Sequence, residues 1–208
     1  IAWASHDLRT PVTSLRSMIE ALIDGMVTDP ETTSRYLQDM EGEIGSLTRL
    51  IDNLFELAQM DAGRIRLDYQ LASLRDLISD TIGSMSARAQ QQHITLKGQV
   101  DPSVDTFSFA PDKVQRILSN LLDNALRYTP EGGTVTLNAA PEGDYVRVTV
   151  RNNGVGMSVP DLSQIFTRFY RAEESRAQSK DGRRGSGLGL AITRGFVEAH
   201  GGTITAAT

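Results

Sequence analysis

A histidine followed directly by an aspartate is the most reactive pair in this chain. It lies in the run Ser5-His6-Asp7-Leu8-Arg9-Thr10-Pro11. The Nε2 atom of a neutral imidazole is a good nucleophile near pH 7. Asp7 is positioned to hold the Nδ1 proton, which leaves Nε2 free to attack, so the pair suits acceptance of a phosphoryl group. Thr10 follows four residues after His6, on nearly the same helix face, where its hydroxyl is suited to position a water.

His6 is predicted to face solvent. On a helix of 3.6 residues per turn it lies about 130° from the centre of the apolar stripe of its own helix. Pro11 removes a helical hydrogen bond and is expected to bend the helix one turn beyond His6, where another domain would approach. An exposed His-Asp pair is by itself more often a solvated surface feature, so its role depends on the rest of the chain. His93 and His200 have no carboxylate at a useful spacing and are interpreted as structural or surface residues.

Three polar residues far along the chain share one face of a predicted helix. Asn120, Asn124 and Arg127 stand at positions i, i+4 and i+7. An amide oxygen is a hard ligand that suits Mg²⁺, and arginine neutralises phosphate charge. The alternative is that the amides are merely polar surface, but asparagine is a mediocre helix former, so two on one face favour a function. The face therefore suits a magnesium-bound triphosphate.

Two glycine-rich segments extend this pattern. Asn152-Asn153-Gly154-Val155-Gly156 follows a predicted strand, and Gly185-Ser186-Gly187-Leu188-Gly189 opens a predicted helix. Glycine allows the backbone to approach a flat ligand closely, and the N–H groups at a helix start form a phosphate site. The second segment is not a Walker A loop, because it lacks Gly-Lys-Ser/Thr, and no βαβ unit follows it as a dinucleotide fold requires. Either segment alone is weak support for nucleotide binding.

The first third of the chain must position His6, and it carries two apolar seams with heptad spacing. Thr28-Asp29-Pro30 separates them, so residues 1–27 and the following helix form an antiparallel hairpin. Ala62-Gly63-Arg64 ends the second helix. The seams are Leu8, Val12, Leu15, Ile19, Leu22 and Met26 in the first helix and Leu37, Met40, Ile44, Leu47, Ile51, Leu54 and Ala58 in the second, widened there by Leu50, Phe55 and Leu57.

Two helices alone bury both stripes poorly, so the hairpin is expected to dimerise into a four-helix bundle. A monomeric hairpin that packs on the rest of the chain is the alternative.

From about residue 67 the pattern changes to mixed α and β structure. Helices are predicted over residues 74–90, 112–128, 161–166 and 187–200, and strands over 94–100, 134–138, 145–150 and 203–206. Asp112 is expected to be an N-cap and Pro141-Glu142-Gly143-Asp144 a hairpin turn. The charge-dense stretch from Arg171 to Gly185 is interpreted as a mobile loop. These elements predict an α/β sandwich with helices on one face of a sheet.

Composition limits the partners. The formal net charge of the 208 residues is −5, which does not favour a nucleic-acid partner. The chain has no cysteine, which excludes disulfides and thiolate metal sites. No apolar run approaches the ~20 residues of a membrane span. The chain begins without Met, inside a helical pattern, and is therefore expected to be a piece of a longer protein.

Taken together, these motifs resemble the kinase core of a bacterial sensor histidine kinase. Five motifs match in family order: residues 6–11 the H box, 120–127 the N box, 152–156 the first Gly box, 165–171 the F box and 185–190 the second Gly box. The resemblance implies a dimerisation and histidine phosphotransfer domain over residues 1–63, a linker over 64–69, and a gyrase-type ATP-binding catalytic domain over 70–208. It also implies a lid from about Met157 to Gly187.

The resemblance further implies residue roles. His6 would be the phosphoacceptor, Asp7 the base, and Thr10 part of the phosphatase motif. Asn120 would coordinate Mg²⁺, and Tyr170 and Arg171 would reach the triphosphate from the lid. The nucleotide-binding set would be Asn120, Asn124, Arg127, Tyr128, Asn152, Gly154, Gly156, Tyr170, Arg171, Gly185, Gly187, Leu188 and Gly189.

The chain departs from the family pattern at two places. Asn152 stands where the family usually has an aspartate whose carboxylate accepts a hydrogen bond from the adenine amino group. An amide oxygen also accepts, but the neutral bond is weaker, so a modest loss of ATP affinity is expected without loss of adenine recognition. The family also normally adds a further strand at the point where this chain stops, Thr208.

The resemblance implies ATP and Mg²⁺ as ligands, a homodimer, and a response-regulator receiver domain as the partner. It implies the cytoplasmic part of a membrane-anchored sensor, with membrane contact only through segments outside this chain. Two other functions compete with it. One is a gyrase-like or chaperone-like ATPase that drives dimer closure, and the other is a dimeric scaffold that binds nucleotide only to signal. A protein-serine kinase of this fold would lack the histidine-bearing hairpin.

Overall fold

The computed structural model describes residues 2–172 and 185–208, and for residues 2–7 it describes the backbone only. The described residues fall into two compact units, one of which extends to Gly63 while the other begins at Arg64. None of the helices in these ranges has the length and apolar character that a membrane span requires.

The first unit is a helical hairpin of α1 (Ala2–Ile23) and α2 (Pro30–Asp61). Asp29 is the N-cap of α2, because its side chain accepts a hydrogen bond from the Thr32 N–H at 2.8 Å. That bond holds the pKa of Asp29 below its ordinary value. At the other end Gly63 takes a left-handed φ of 62° and ends α2 where the sequence predicts.

The first helix is shorter than its apolar pattern predicts. It ends at Ile23, and Gly25 follows with a left-handed φ of 67°. The N–H groups of Met26 and Val27 donate back to the Ala21 carbonyl, as in a glycine-terminated helix end. The prediction that Met26 belongs to the helical seam is therefore wrong, because Met26 lies in the turn beyond the end of α1.

The second unit has four helices and five strands in its described residues. The helices are α3 (Leu74–Gln91), α4 (Pro111–Tyr128), α5 (Val159–Gln164) and α6 (Gly189–Ala199). The strands are β1 (Gln70–Ser73), β2 (Thr95–Val100), β3 (Thr106–Phe109), β4 (Thr134–Glu142) and β5 (Tyr145–Asn152). A short 3₁₀ turn, Pro102–Val104, connects β2 and β3.

Three of the strands form the main sheet, in the order β2-β4-β5. β2 runs parallel to β4, and β4 runs antiparallel to β5. α3 and α4 contribute the helical side of the core, which includes the buried residues Ile78, Leu118, Leu122, Leu126, Val135 and Leu137. Each fully buried leucine of this kind contributes about 1.5–3 kcal/mol through the hydrophobic effect. The predicted α/β architecture with helices against a sheet is confirmed.

A second, two-stranded sheet was not predicted. β1 pairs antiparallel with β3. The Ser73 hydroxyl donates to the Asp105 carboxylate at 2.7 Å and so ties β1 to the segment before β3. The alternation in Thr106-Phe107-Ser108-Phe109 signals the second strand, but only four residues make up each one, which is too few for a periodicity to stand out.

Two predicted boundaries in this unit are wrong for reasons of backbone chemistry. α4 begins with Pro111 at its first position, after Ala110 as N-cap, so Asp112 lies inside the first turn and is not the cap. Pro141 lies inside β4, opposite Val146, and the hairpin turn is only Gly143-Asp144. Proline has no N–H to donate to a neighbouring strand. This costs nothing at Pro141 on the β2 side, because β2 pairs with β4 only as far as Ala139.

Residues 203–206, predicted as a strand, form no strand in the structure. A strand needs a neighbour for its backbone N–H and C=O groups, and none of the five described strands pairs with this segment. The segment is instead tied at its end, where the Met157 N–H donates to the Thr208 hydroxyl at 3.3 Å.

Candidate functional site

The phosphoacceptor candidate lies in the first two turns of α1. His6 and Asp7 have helical backbone, and their side chains lie outside the described part of the chain, as does the predicted solvent exposure of His6. Thr10 is exposed on the same helix. α1 continues through Pro11, which has no N–H to donate to the Asp7 carbonyl four residues earlier.

The amide face of α4 is opposite its core face. Asn120 and Asn124 are half-buried and Arg127 is exposed, whereas Leu118, Leu122 and Leu126 are buried. Side chains on a helix lean towards its N-terminus, so Arg127 leans towards the two amides. The structure therefore keeps the three predicted polar residues on one accessible face.

Asn120 braces α4 against α6. Its Nδ2 donates to the Gly189 carbonyl at 3.2 Å and lies 3.4 Å from the Thr193 hydroxyl. With the nitrogen used in this way, the Oδ1 atom is the one left for a ligand, and an amide oxygen is a suitable ligand for Mg²⁺. The sequence analysis missed Thr193, which is fully buried. The feature that could have revealed it is a hydroxyl-bearing residue within the apolar pattern of the last helix, between Ile192 and Phe196.

Gly154 is required by a close backbone approach. A Cβ atom at this position would lie 1.9 Å from the carbonyl oxygen of Tyr128, at the C-terminal end of α4. It would also lie 2.7 Å from Nδ2 of Asn152. The first glycine segment therefore packs directly against the end of the helix that carries the amide face. Gly156 faces a less rigid neighbour, since its Cβ would lie 2.6 Å from the Thr208 hydroxyl.

The two adjacent asparagines before Gly154 have different environments. Asn153 is exposed, and its Oδ1 accepts a hydrogen bond from the Thr134 N–H at 2.7 Å, which ties the end of β5 to the start of β4. Asn152 is half-buried. Because side chains alternate between the two faces of a strand, it lies on the same face of β5 as Val148 and Val150, which pack against the core. Its side chain thus lies on the helix-covered face of the sheet, beyond the last core valine.

The second glycine segment forms a backbone junction with the F box. Phe169 and Gly187 both take left-handed φ values, 63° and 68°, and the Phe169 N–H donates to the Gly187 carbonyl at 2.9 Å. A Cβ on Gly187 would lie 2.8 Å from the Phe169 carbonyl carbon. Leu188, next along, is fully buried and anchors the start of α6. Gly185 has no regular secondary structure, and residues 173–184 of the predicted mobile loop lie outside the described residues.

Tyr170, predicted to reach the triphosphate, is anchored to α5. Its hydroxyl donates to the Asp161 carboxylate at 2.5 Å, and the Ser158 hydroxyl donates to the same carboxylate at 2.6 Å. The Ser158 bond, followed by the Tyr170 bond, holds the pKa of Asp161 below its ordinary value. Arg171 is half-buried beside this anchor.

Removing the Tyr170 hydroxyl is expected to change the titration of Asp161. In Tyr170→Phe the pKa of Asp161 should rise towards its ordinary value and remain below it, because the Ser158 bond persists. Because the pKa of Asp161 is lowered in the folded chain, its ionised carboxylate stabilises the fold at pH values above about 4, the ordinary pKa of an aspartate. This stabilisation is lost as the pH falls and the carboxylate becomes protonated. Carboxyl-carbon NMR titration measures the change, and Tyr145→Phe, at an exposed tyrosine, is the control. An unaltered Asp161 titration in Tyr170→Phe would exclude this bond in solution.

The candidate nucleotide site has two different ends along α4, one suited to phosphate groups and one suited to a base. The N-terminus of α6 meets α4 at Asn120, where N–H groups and an amide oxygen suit phosphate and Mg²⁺. Tyr128 is eight residues further on, about 12 Å along the helix axis at 1.5 Å per residue. Gly154 and Asn152 lie at that second end. The residues present therefore fit an extended magnesium-bound nucleotide.

The chain belongs to the histidine kinase family and has the two-domain core of the sensor kinases. Residues 1–63 match the His Kinase A (phospho-acceptor) domain. Residues 109–208 match the histidine kinase-, DNA gyrase B- and HSP90-like ATPase domain. The first matched segment contains the His-Asp pair, and the second contains the amide face of α4 and both glycine-rich segments.

The chain is similar to named sensor kinases over nearly its whole length. It is 36% identical to the signal transduction histidine-protein kinase BaeS of Escherichia coli (strain K12), over 98% of this chain and 42% of BaeS. It is 32% identical to the sensor histidine kinase WalK of Bacillus subtilis (strain 168), over 99% of this chain and 33% of WalK. The chain thus spans less than half the length of these curated relatives.

The fold also resembles that of solved kinases. ThkA, in a crystal structure with the response regulator protein TrrA, has a TM-score of 0.71 and 23% identity, over 97% of this chain and 54% of ThkA.

Proposed function

We propose that this chain is an ATP-dependent histidine autokinase that passes its phosphoryl group to an aspartate of a response regulator. The Nε2 atom of His6 attacks the γ-phosphorus of ATP, the bond to the bridging oxygen breaks, and ADP leaves. Asp7 holds the Nδ1 proton of the imidazole. The single observation that supports this most strongly is the presence, in one chain, of a phosphoacceptor hairpin and a nucleotide site built from α4 and α6.

The site residues have distinct tasks in this proposal. Asn120 would hold Mg²⁺ through Oδ1, the atom left open by its bond to Gly189. Asn124 and Arg127 would bind phosphate oxygens, together with the N–H groups at the start of α6. Bound Mg²⁺ neutralises charge on the transferring group, which is what phosphoryl transfer requires. Because ATP is an intracellular substrate, the kinase core would act on the cytoplasmic side of the membrane.

Incubation with γ-labelled ATP and Mg²⁺ tests the proposal. A histidine kinase should acquire label that is lost in acid and retained in base, since it is bound to nitrogen. A gyrase-like ATPase would release labelled phosphate and leave the protein unlabelled, and a signalling scaffold would bind ATP and do neither. Either of those outcomes would exclude the autokinase.

The exposed apolar stripe of the hairpin supports dimerisation. In α2 the single chain buries Met40, Leu50 and Leu57 but leaves Leu37, Ile44, Ile51 and Phe55 exposed by more than half. The four exposed residues fall within an arc of about 40° on the helix, at heptad-like spacing. Val12, Ile19 and Ile23 form a similar exposed arc on α1. A second copy that buried these stripes would complete a four-helix bundle.

A charge in this stripe is expected to separate the dimer. Ile44, which is 56% exposed in the single chain, would become buried between copies, and Ile44→Glu would then bury an unpaired carboxylate. We expect a monomer by light scattering at micromolar concentration. Gln38→Glu is the matched control, since Gln38 is also exposed on α2 but lies about 100° from Leu37. Equal masses for the two variants would contradict this interface.

The response regulator is proposed as the partner, supported by the similarity to ThkA, which was solved with such a regulator. Thr10 has a further proposed role in the reverse direction, which is hydrolysis of the phosphorylated regulator. Thr10 follows His6 by one helical turn and is an exposed residue, which supports a role in holding the attacking water.

Thr10→Ala should therefore separate two activities. Label incorporation at His6 should persist within about twofold, because Thr10 belongs to the first unit and the nucleotide site is built from the second. Regulator dephosphorylation should fall by about 10²-fold, the typical contribution of a positioning or acid–base group. The decay of labelled regulator measures the second activity. Thr13→Ala, one turn further along α1, is the control. Dephosphorylation at the wild-type rate in Thr10→Ala would exclude the role.

A further inference from the structure

Asn152 is one of the side chains in the nucleotide site with unused hydrogen-bonding capacity, and it lies at the end away from Asn120. Its neighbour Asn153 is occupied by the Thr134 N–H. The Asn152 amide forms no hydrogen bond with any residue that the structure describes, although it is half-buried. Polar groups that become buried, as this amide would beneath a ligand, normally have hydrogen-bond partners. An amide left open at this position points to a ligand that supplies them.

The position of Asn152 determines which part of the ligand it meets. Its Nδ2 lies near the site of the missing Gly154 Cβ, beside the carbonyl oxygen of Tyr128 at the C-terminal end of α4. That end of a helix carries negative partial charge, which disfavours phosphate and suits a neutral group. The phosphate end lies about 12 Å away, at Asn120 and the start of α6. Asn152 therefore faces the base of a bound nucleotide.

We infer that Asn152 reads the purine and that it accepts both 6-amino and 6-oxo purines, so that this chain uses inosine or guanosine triphosphate as well as ATP. The inference rests on the proposed function, because it assumes that the nucleotide lies along α4. It concerns the base only and leaves the transfer chemistry at His6 unchanged.

The chemistry of the amide carries this inference. An adenine presents an N–H donor at its 6-position and an acceptor at N1, and a carboxamide pairs with both through its oxygen and its nitrogen. A 6-oxopurine presents the reverse pattern, an acceptor at O6 and an N–H donor at N1. Rotation of the Asn152 amide by about 180° exchanges its own donor and acceptor, so it matches either base. A carboxylate has no donor and would meet O6 with like charge.

Binding of ATP and ITP to the whole chain tests the inference, because ITP differs from ATP only at the 6-position and N1. We expect the two dissociation constants of the wild type to agree within about tenfold. In Asn152→Asp the preference for ATP should grow by a further tenfold to hundredfold, about the discrimination that a bidentate pair gives. Asn153→Asp is the matched control: its carboxylate still accepts the Thr134 N–H, and its ATP/ITP ratio should equal that of the wild type.

The outcomes separate the two proposals. A wild type that binds ATP more than a hundredfold tighter than ITP, or an Asn152→Asp variant with an unchanged ratio, overturns the role of Asn152 while the autokinase stands. Similar binding of ATP and ITP without labelling of His6 by either γ-labelled nucleotide supports the role of Asn152 and overturns the autokinase. Failure of both nucleotides to bind overturns both.

Discussion

Replacing His6 with glutamine is expected to abolish incorporation of labelled phosphate. Glutamine has nearly the length of histidine and keeps the helix, but its amide nitrogen has no free lone pair and is not a nucleophile. ATP affinity should remain at the wild-type value, because the nucleotide site is built from α4, α6 and the glycine segments of the other unit. Label counting and equilibrium ATP binding on the same preparation measure both quantities.

A second histidine provides the control for this experiment. His93 is exposed, its Nε2 lies 3.9 Å from a carboxylate oxygen of Glu131, and its φ is 53°. His93→Asn suits that left-handed backbone better than most substitutions. It should take up label at the wild-type level. If His6→Gln kept its label, or His93→Asn lost it, the acceptor would lie elsewhere and the proposed function would be wrong.

Gly154→Ala is expected to have the largest effect within the nucleotide site. The added methyl group would lie 1.9 Å from the Tyr128 carbonyl oxygen and 2.8 Å from the carbonyl carbon. Backbone atoms cannot rotate away as a side chain does, so either β5 or the end of α4 must shift. We expect a loss of about 1–3 kcal/mol in the stability of the second unit, typical of overpacking. ATP affinity should fall by more than tenfold, since the same shift displaces Asn152. Thermal unfolding and calorimetric binding measure the two effects.

Another glycine of the same unit gives the matched control. Gly83 lies in α3, and a Cβ there would meet nothing within 4 Å. Gly83→Ala should leave ATP binding unchanged and raise stability by up to about 1 kcal/mol, because alanine is the better helix former. Equal behaviour of the two variants would show that the contact between Gly154 and Tyr128 is not tight.

Most of the fold follows from periodicity, and the errors occur where a distant residue decides the structure. The amide face of α4 and the end of α2 at Gly63 were predicted correctly, because helix periodicity and terminating glycines are local signals. The sheet of β1 and β3 and the strand predicted over residues 203–206 were not. Whether a short extended segment becomes a strand depends on a pairing partner that the local sequence does not identify.

The candidate site divides in the same way. The types and spacing of His6, Asn120 and the glycine segments could be found from the sequence, since phosphate and Mg²⁺ chemistry restricts the residues that serve. Thr193, which supports Asn120, and Asp161, which holds Tyr170, were missed. Each acts through one hydrogen bond to a residue on another element, and no periodicity records such a bond.

By itself the sequence determined which residues are chemically suited to this function. They are an imidazole on a helix with an apolar heptad seam, and a set of amides, an arginine and glycines suited to a nucleotide. The tertiary structure alone decided how equivalent residues differ. It separates Asn153, bonded to β4, from Asn152, which faces the helix layer. It also separates the α2 seam residues that are buried in the single chain from those that stay exposed. The physical reason is that burial and hydrogen bonding depend on neighbours brought together by folding, whereas residue type and spacing are properties of the chain alone.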